Sequence, residues 1–142
     1  MSRELLSQYL ENSKYIDFDN AEVRRKAREL RNVSSTEIEL IQSTYYFVRD
    51  EIKHSWDVQD KRVTVSASDV LREGVGICWA KSNLFAALLR ANGVPCGFSH
   101  QRLTLGDTPD TADECTDAVL RLAGGLDVVE DDGELVLVQR LV

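Results

Sequence analysis

The chain has little histidine: His54 and His100 are the two imidazoles among 142 residues. Chemistry that needs an imidazole base therefore has two candidates to draw on. Its three cysteines (Cys78, Cys96 and Cys115) form an odd count with neither disulfide-framework nor zinc spacing. That pattern fits separate thiols in a reducing compartment. Basic charge is also in deficit, with 17 Lys and Arg against 24 Asp and Glu and a net charge of -7. Such a surface repels phosphate backbones and anionic lipid, which argues against nucleic-acid and membrane partners. The start, MSRELLSQYLENSK, lacks a signal-peptide core, and no apolar run approaches spanning length. A cytoplasmic location is the expectation. Repeats and low-complexity segments are absent as well.

What is present is an ordinary globular composition, 43% hydrophobic and 29% charged, long enough for one domain over residues 1–142. The first half reads as helical. Leu5, Leu6, Tyr9 and Leu10 suggest a short amphipathic helix, and Asn20 is placed to cap a second carrying Val23, Ala27 and Leu30. Ser34 and Glu37 fit a capping box ahead of a stripe at Ile38, Ile41, Tyr45, Val48 and Ile52. HSWDVQDKRVTVSAS is a polar connector, after which Ser68 is expected to cap a short helix that Gly74 stops. Ala80 to Ala91 is apolar on most sides, so that helix should be central, ending at Asn92-Gly93 before Pro95. Downstream, residues 97–105, 118–123, 126–130 and 134–142 are strand-like, with Gly124-Gly125 and Asp132-Gly133 as hairpin turns. Helices first and an antiparallel meander afterwards make an α+β domain.

Cys78 stands where the central helix begins, just after Gly74 and Gly76. Unpaired amides and the helix dipole favour a thiolate there, and the Cys78 amide can donate to an oxyanion. A buried structural cysteine would satisfy the same local pattern. The stretch Ala67-Ser68-Asp69-Val70-Leu71, then Gly74-Val75-Gly76-Ile77-Cys78, then Ala80, Leu84, Ala87, Leu88, Leu89, Arg90 and Gly93-Val94-Pro95, resembles the transglutaminase-like superfamily. So does the upstream helix ending Tyr46-Phe47-Val48-Arg49-Asp50-Glu51-Ile52. The match runs from about Leu40 to about Leu105 and is most similar to the bacterial and archaeal stand-alone domains. The resemblance implies a papain-like cysteine-proteinase fold, with the cysteine-bearing helix packed on the antiparallel meander. It also implies a Cys-His-Asp triad acting on peptide or amide carbonyls, by hydrolysis or transfer to an amine, without cofactor or metal.

In that family the histidine opens the strand after the long loop, where similar chains often read Cys-x-His-Ala. Here the same place reads Cys115-Thr116-Asp117-Ala118, so Asp117 stands at the histidine position. A turn centred between Gly124 and Gly125 sets Asp117 opposite Asp132, with Asp131 beside it. An acid is thus available as third member, and the base is missing. His54 reads as a surface or helix-end residue in the connector, and His100 lies on the first strand, away from the expected position. A carboxylate beside the thiol would disfavour thiolate, so impaired catalysis is expected from a site of Cys78, Asp117 and Asp132. The alternative is an inactive fold that recognises a peptide or protein partner.

Other residues carry less. Cys96 and Cys115 read as buried or loop thiols. Trp56 or Gln59 could offer an oxyanion donor or simply pack, and Trp79 is expected to pack the helix on the sheet. The basic group from Arg24 to Arg31 reads as a solvated helix face, and the acids of 107–114 and 130–132 as solvated loops rather than a calcium site. The apolar ending LVLVQRLV reads as a possible edge strand able to pair with a second copy, a route to a homodimer.

Overall fold

A helix forms where a side chain can close its first turn, and three of the helices here begin that way. The structure, a computed structural model, describes residues 3–100, 127–131 and 134–141. After a short α1 (Arg3–Gln8), α2 (Ala21–Asn32) opens on Asn20, whose Oδ1 accepts from the Glu22 and Val23 amides at 2.9 and 3.4 Å. Val23, Ala27 and Leu30 are buried, as their spacing requires. The next helix, α3 (Glu37–Asp50), opens on a capping box one pair later than expected. Thr36 Oγ1 accepts from the Glu39 amide at 3.1 Å, while the Glu39 carboxylate accepts from the Thr36 amide at 3.3 Å. Ser34 is unavailable for that role because its hydroxyl donates to the Leu30 carbonyl at 2.8 Å and closes α2. The buried face of α3 is correspondingly turned, to Leu40, Ile41, Thr44 and Val48, with Ile38 left exposed.

The connector then makes a two-residue strand, β1 (Lys53–His54), that pairs in parallel with β2 (Val75–Gly76). Between them α4 (Ala67–Glu73) is capped by Ser66, two residues before the expected Ser68, and ends on Gly74 in the left-handed region at φ 68°. Ser68 is engaged elsewhere, its hydroxyl donating to the Asp17 carboxylate. The central helix, α5 (Cys78–Ala91), is buried at Ala80 and continuously from Ser82 to Leu89. Helices α2, α3 and α4 surround it. Each large side chain fully withdrawn there, such as Phe85 or Leu88, contributes roughly 1.5–3 kcal/mol. Asn92 ends α5 and Gly93 follows at φ 78°.

The chain forms two compact units, Met1–Cys96 and Gly97–Val142. Strands of the second are β3 (Cys96–His100, begun by the last residue of the first unit), β4 (Asp127–Asp131) and β5 (Glu134–Leu141). β4 and β5 are antiparallel, with Asp127 opposite Val138 and Asp131 opposite Glu134. That register leaves two residues between the paired ends, the spacing of a tight hairpin. The strand order is β3-β5-β4. β5 is therefore an interior strand with both edges paired, and the expectation of an open edge at residues 135–142 does not hold.

Candidate active site

Three features of the backbone bring Cys78 to its place. Gly74 turns out of α4 with a left-handed φ that costs a glycine nothing. The ribbon bonds follow, from the Lys53 amide to the Gly74 carbonyl at 3.0 Å and from the Ser55 amide to the Gly76 carbonyl at 3.2 Å. Gly76 is required by space: a Cβ there would lie 3.0 Å from Thr64 Oγ1 and 3.3 Å from Ala80 Cβ. Thr64 cannot readily yield, since it is buried and donates to the Val75 carbonyl at 2.8 Å.

Cys78 then opens α5 with its side chain exposed. The N-cap is Ile77, in extended backbone, and it makes no side-chain capping bond. The first amides of α5 consequently have no side-chain acceptor from the N-cap, and they point to the end where the sulfur lies. The Cys78 carbonyl accepts from the Ser82 hydroxyl at 2.8 Å, which fastens the first turn. Beside this end is a cleft of about 440 Å³ lined by Trp56, Gln59, Arg62, Val63, Thr64 and Ile77, among others. Trp56 is 80% exposed and Val63 88%, unusual for apolar side chains of that size. Gln59, on the same wall, holds φ at 49°. On the rim, Arg62 binds Asp60 at 2.6 Å and Glu73 at 2.7 Å. The guanidinium holds the Asp60 carboxyl down to about 2.

The structure brings some of the anticipated residues together. His54, read from sequence as a surface or helix-end residue, is a half-buried strand residue whose Cα partner is Gly76, two positions before Cys78. Its Nδ1 accepts from the Trp56 amide at 3.4 Å, and no hydrogen bond joins it to Cys78 among the described residues. Trp56 and Gln59 both line the cleft next to Ile77. Trp79 stacks at a tilt on Tyr15, ring centres 5.9 Å apart, a contact with the N-terminal segment. Cys96 is a buried thiol, pushed up to about 12 by that burial. The basic face of α2 is solvated and ion-paired, with Arg25 on Glu22 at 2.7 Å. Asp117, Asp132 and Cys115 lie outside the described residues, and His100 is the last residue of β3.

One residue that the sequence reading passed over is Lys81. It sits one turn after Cys78, and its Nζ donates to the Ile52 carbonyl at 2.7 Å and to the Arg49 carbonyl at 3.3 Å. The available signal was its isolation: Lys81 and Arg90 are the only charges in CWAKSNLFAALLRA. A cluster of acids, histidines or cysteines fit to hold a metal is not found among the described residues, nor is a helix long and apolar enough to cross a membrane.

The thiol thus opens a helix entered through a glycine turn, one residue after the cleft-lining Ile77. The family model of the transglutaminase-like superfamily matches residues 24–124, and the chain belongs to that superfamily. Among solved structures it is similar to the "Putative Cysteine Protease from Cytophaga hutchinsonii", with a TM-score of 0.56 and 18% identity. That likeness covers 67% of this chain and 31% of the other, and at this identity it shows the fold alone. No curated protein matches the chain.

Proposed function

We propose that the chain performs thiol acyl transfer on amide or peptide carbonyls, with Cys78 as nucleophile and at a rate far below that of a complete triad. The observation that carries this reading is the exposed Cys78 at the uncapped start of α5, beside a cleft. The sulfur would attack the carbonyl carbon while the Cys78 amide receives the developing oxyanion. Expulsion of the amine leaves a thioester, which water or a second amine resolves. Each step needs a group that accepts and returns a proton. The resemblance puts that group where Asp117 stands, and a carboxylate there works against thiolate formation.

The test is turnover of an activated amide, and incorporation of a primary amine, by the wild type, Cys78→Ala and Asp117→His. Turnover should be weak in the wild type, vanish in Cys78→Ala, and rise roughly 10²- to 10³-fold in Asp117→His. Activity surviving in Cys78→Ala would end the reading, and an unchanged Asp117→His would end the account of its weakness. A second reading, recognition of a peptide without turnover, draws support from the exposed Trp56 and Val63 in the cleft. It expects Cys78→Ala to bind peptides as the wild type does, and Trp56→Ala to lose that binding.

A further inference from the structure

We propose that Lys81 is the positioning residue of this site: it clamps the strand upstream of the thiol onto α5 and keeps a positive charge one turn from the Cys78 sulfur. The inference rests on Cys78 being the nucleophile, as read above.

A lysine on a solvated helix face extends into water. Lys81 is instead half-buried, folded against the end of α3. The two carbonyls it binds, Arg49 and Ile52, belong to the last turn of α3 and the residues just beyond, where backbone acceptors lack helical donors. Ile52 leads directly into β1, whose ladder to β2 is two residues long. So short a ribbon is marginal alone. The Lys81 bond joins the segment before β1 to the helix that follows β2, and the ribbon lies inside that closure.

The ammonium is also placed electrically. Burial lowers its pKa, while Asp57, Asp50 and Cys78 all favour its charged form. Lys81 follows Cys78 by three residues on the same helix, so the two side chains are neighbours one turn apart and the ammonium stands as a counter-charge on that face. The carboxylates that face the ammonium are Asp50 at the end of α3 and Asp57 in the connector, and the resemblance sets Asp117 beside the thiol as well. These carboxylates offset part of the cation, so removing its charge should change the alkylation rate by about threefold to tenfold.

The experiment is alkylation of the full chain at neutral pH, with Cys78 followed by peptide mass mapping so that other thiols do not count. Neutral iodoacetamide and anionic iodoacetate are run in parallel. Lys81→Met keeps the aliphatic stem and removes the charge and donors; Lys81→Arg keeps the charge. Lys81→Met should slow iodoacetamide about threefold to tenfold and slow iodoacetate further, lowering the ratio of the two rates. Lys81→Arg should keep the ratio near that of the wild type, which a purely structural role for the side chain would not distinguish. Should Lys81→Met fail to fold, the wild type still decides: its ratio at Cys78 should be higher in the native than in the urea-unfolded chain. An unchanged ratio in folded Lys81→Met, or a native ratio at or below the unfolded one, overturns the proposal. A falling ratio in a chain without any amide turnover supports Lys81 while removing the acyl-transfer reading.

Discussion

Helices α2, α3 and α4 each begin on a side chain that accepts from their own first turn: Asn20, Thr36 and Ser66. Helix α5, the most deeply buried of them, begins on Ile77 and has no such bond. Capping stabilises a helix by about 0.5–2 kcal/mol. The longest-buried element can forgo it because burial of Leu84 through Leu89 already holds it in place. The three capped starts are closed; the uncapped one keeps its amides and its sulfur open to a ligand. Local stability has been given up at one helix start, where the chain carries its thiol.

That contrast can be broken in several ways. The largest effect is expected from Gly76→Ala, which forces a Cβ against Thr64 Oγ1 and Ala80 Cβ. Overpacking at so tight a place should cost about 1–3 kcal/mol. Urea titration would show the loss, and Cys78 alkylation would report that the mouth of the cleft had moved with it. Next is Thr36→Ala, which removes the hydroxyl half of the capping box, leaves the Glu39 carboxylate on the backbone amide, and should cost about 1 kcal/mol without altering Cys78 reactivity. A change in the alkylation rate there would mean the two helix starts are coupled. The smallest and most telling is Ile77→Ser. In the extended backbone at that position a hydroxyl can reach the first turn, and the variant should gain a few tenths of a kcal/mol in melting experiments. It should also alkylate more slowly, since the new cap takes up the open amides beside the sulfur. A faster variant would show that the open amides are not what the thiol uses.

Much of the helical framework was legible because it rests on local rules. Asn20, the stripe of α2, the stop at Gly74 and the apolar α5 follow from residues within a few positions of one another. The misreadings share one cause. Ser34 and Ser68 both carry the local signature of a cap, yet each hydroxyl is held by a partner that outranks it. For Ser34 that partner is the Leu30 carbonyl of the preceding helix, and for Ser68 it is Asp17, 51 residues away. Sequence spacing cannot tell which of two serines is already engaged. The ribbon of β1 and β2 was invisible for a different reason: two residues have no period to detect. With it went the placement of His54 beside Gly76. Lys81 carries no local signature either, since its partners, the Ile52 and Arg49 carbonyls, lie about 30 residues upstream. Of the site itself, the position of Cys78 and the reason for Gly76 were readable. The wall made by the connector came from tertiary pairing alone.

The half-buried Arg90 has a consequence for how the chain becomes native. Its guanidinium donates to the Glu11 carbonyl at 2.7 Å and to the Cys96 carbonyl at 2.6 Å, and the Cys96 amide donates to the Tyr9 carbonyl at 3.0 Å. Tyr9 and Glu11 therefore gain these partners only after Arg90 and Cys96 have been synthesised. During translation those contacts wait while α2 to α5 emerge behind them. Closing so long a loop costs entropy that a contact within one helix does not. A ribosome paused before that point would hold Tyr9 and Glu11 without the partners the native chain gives them.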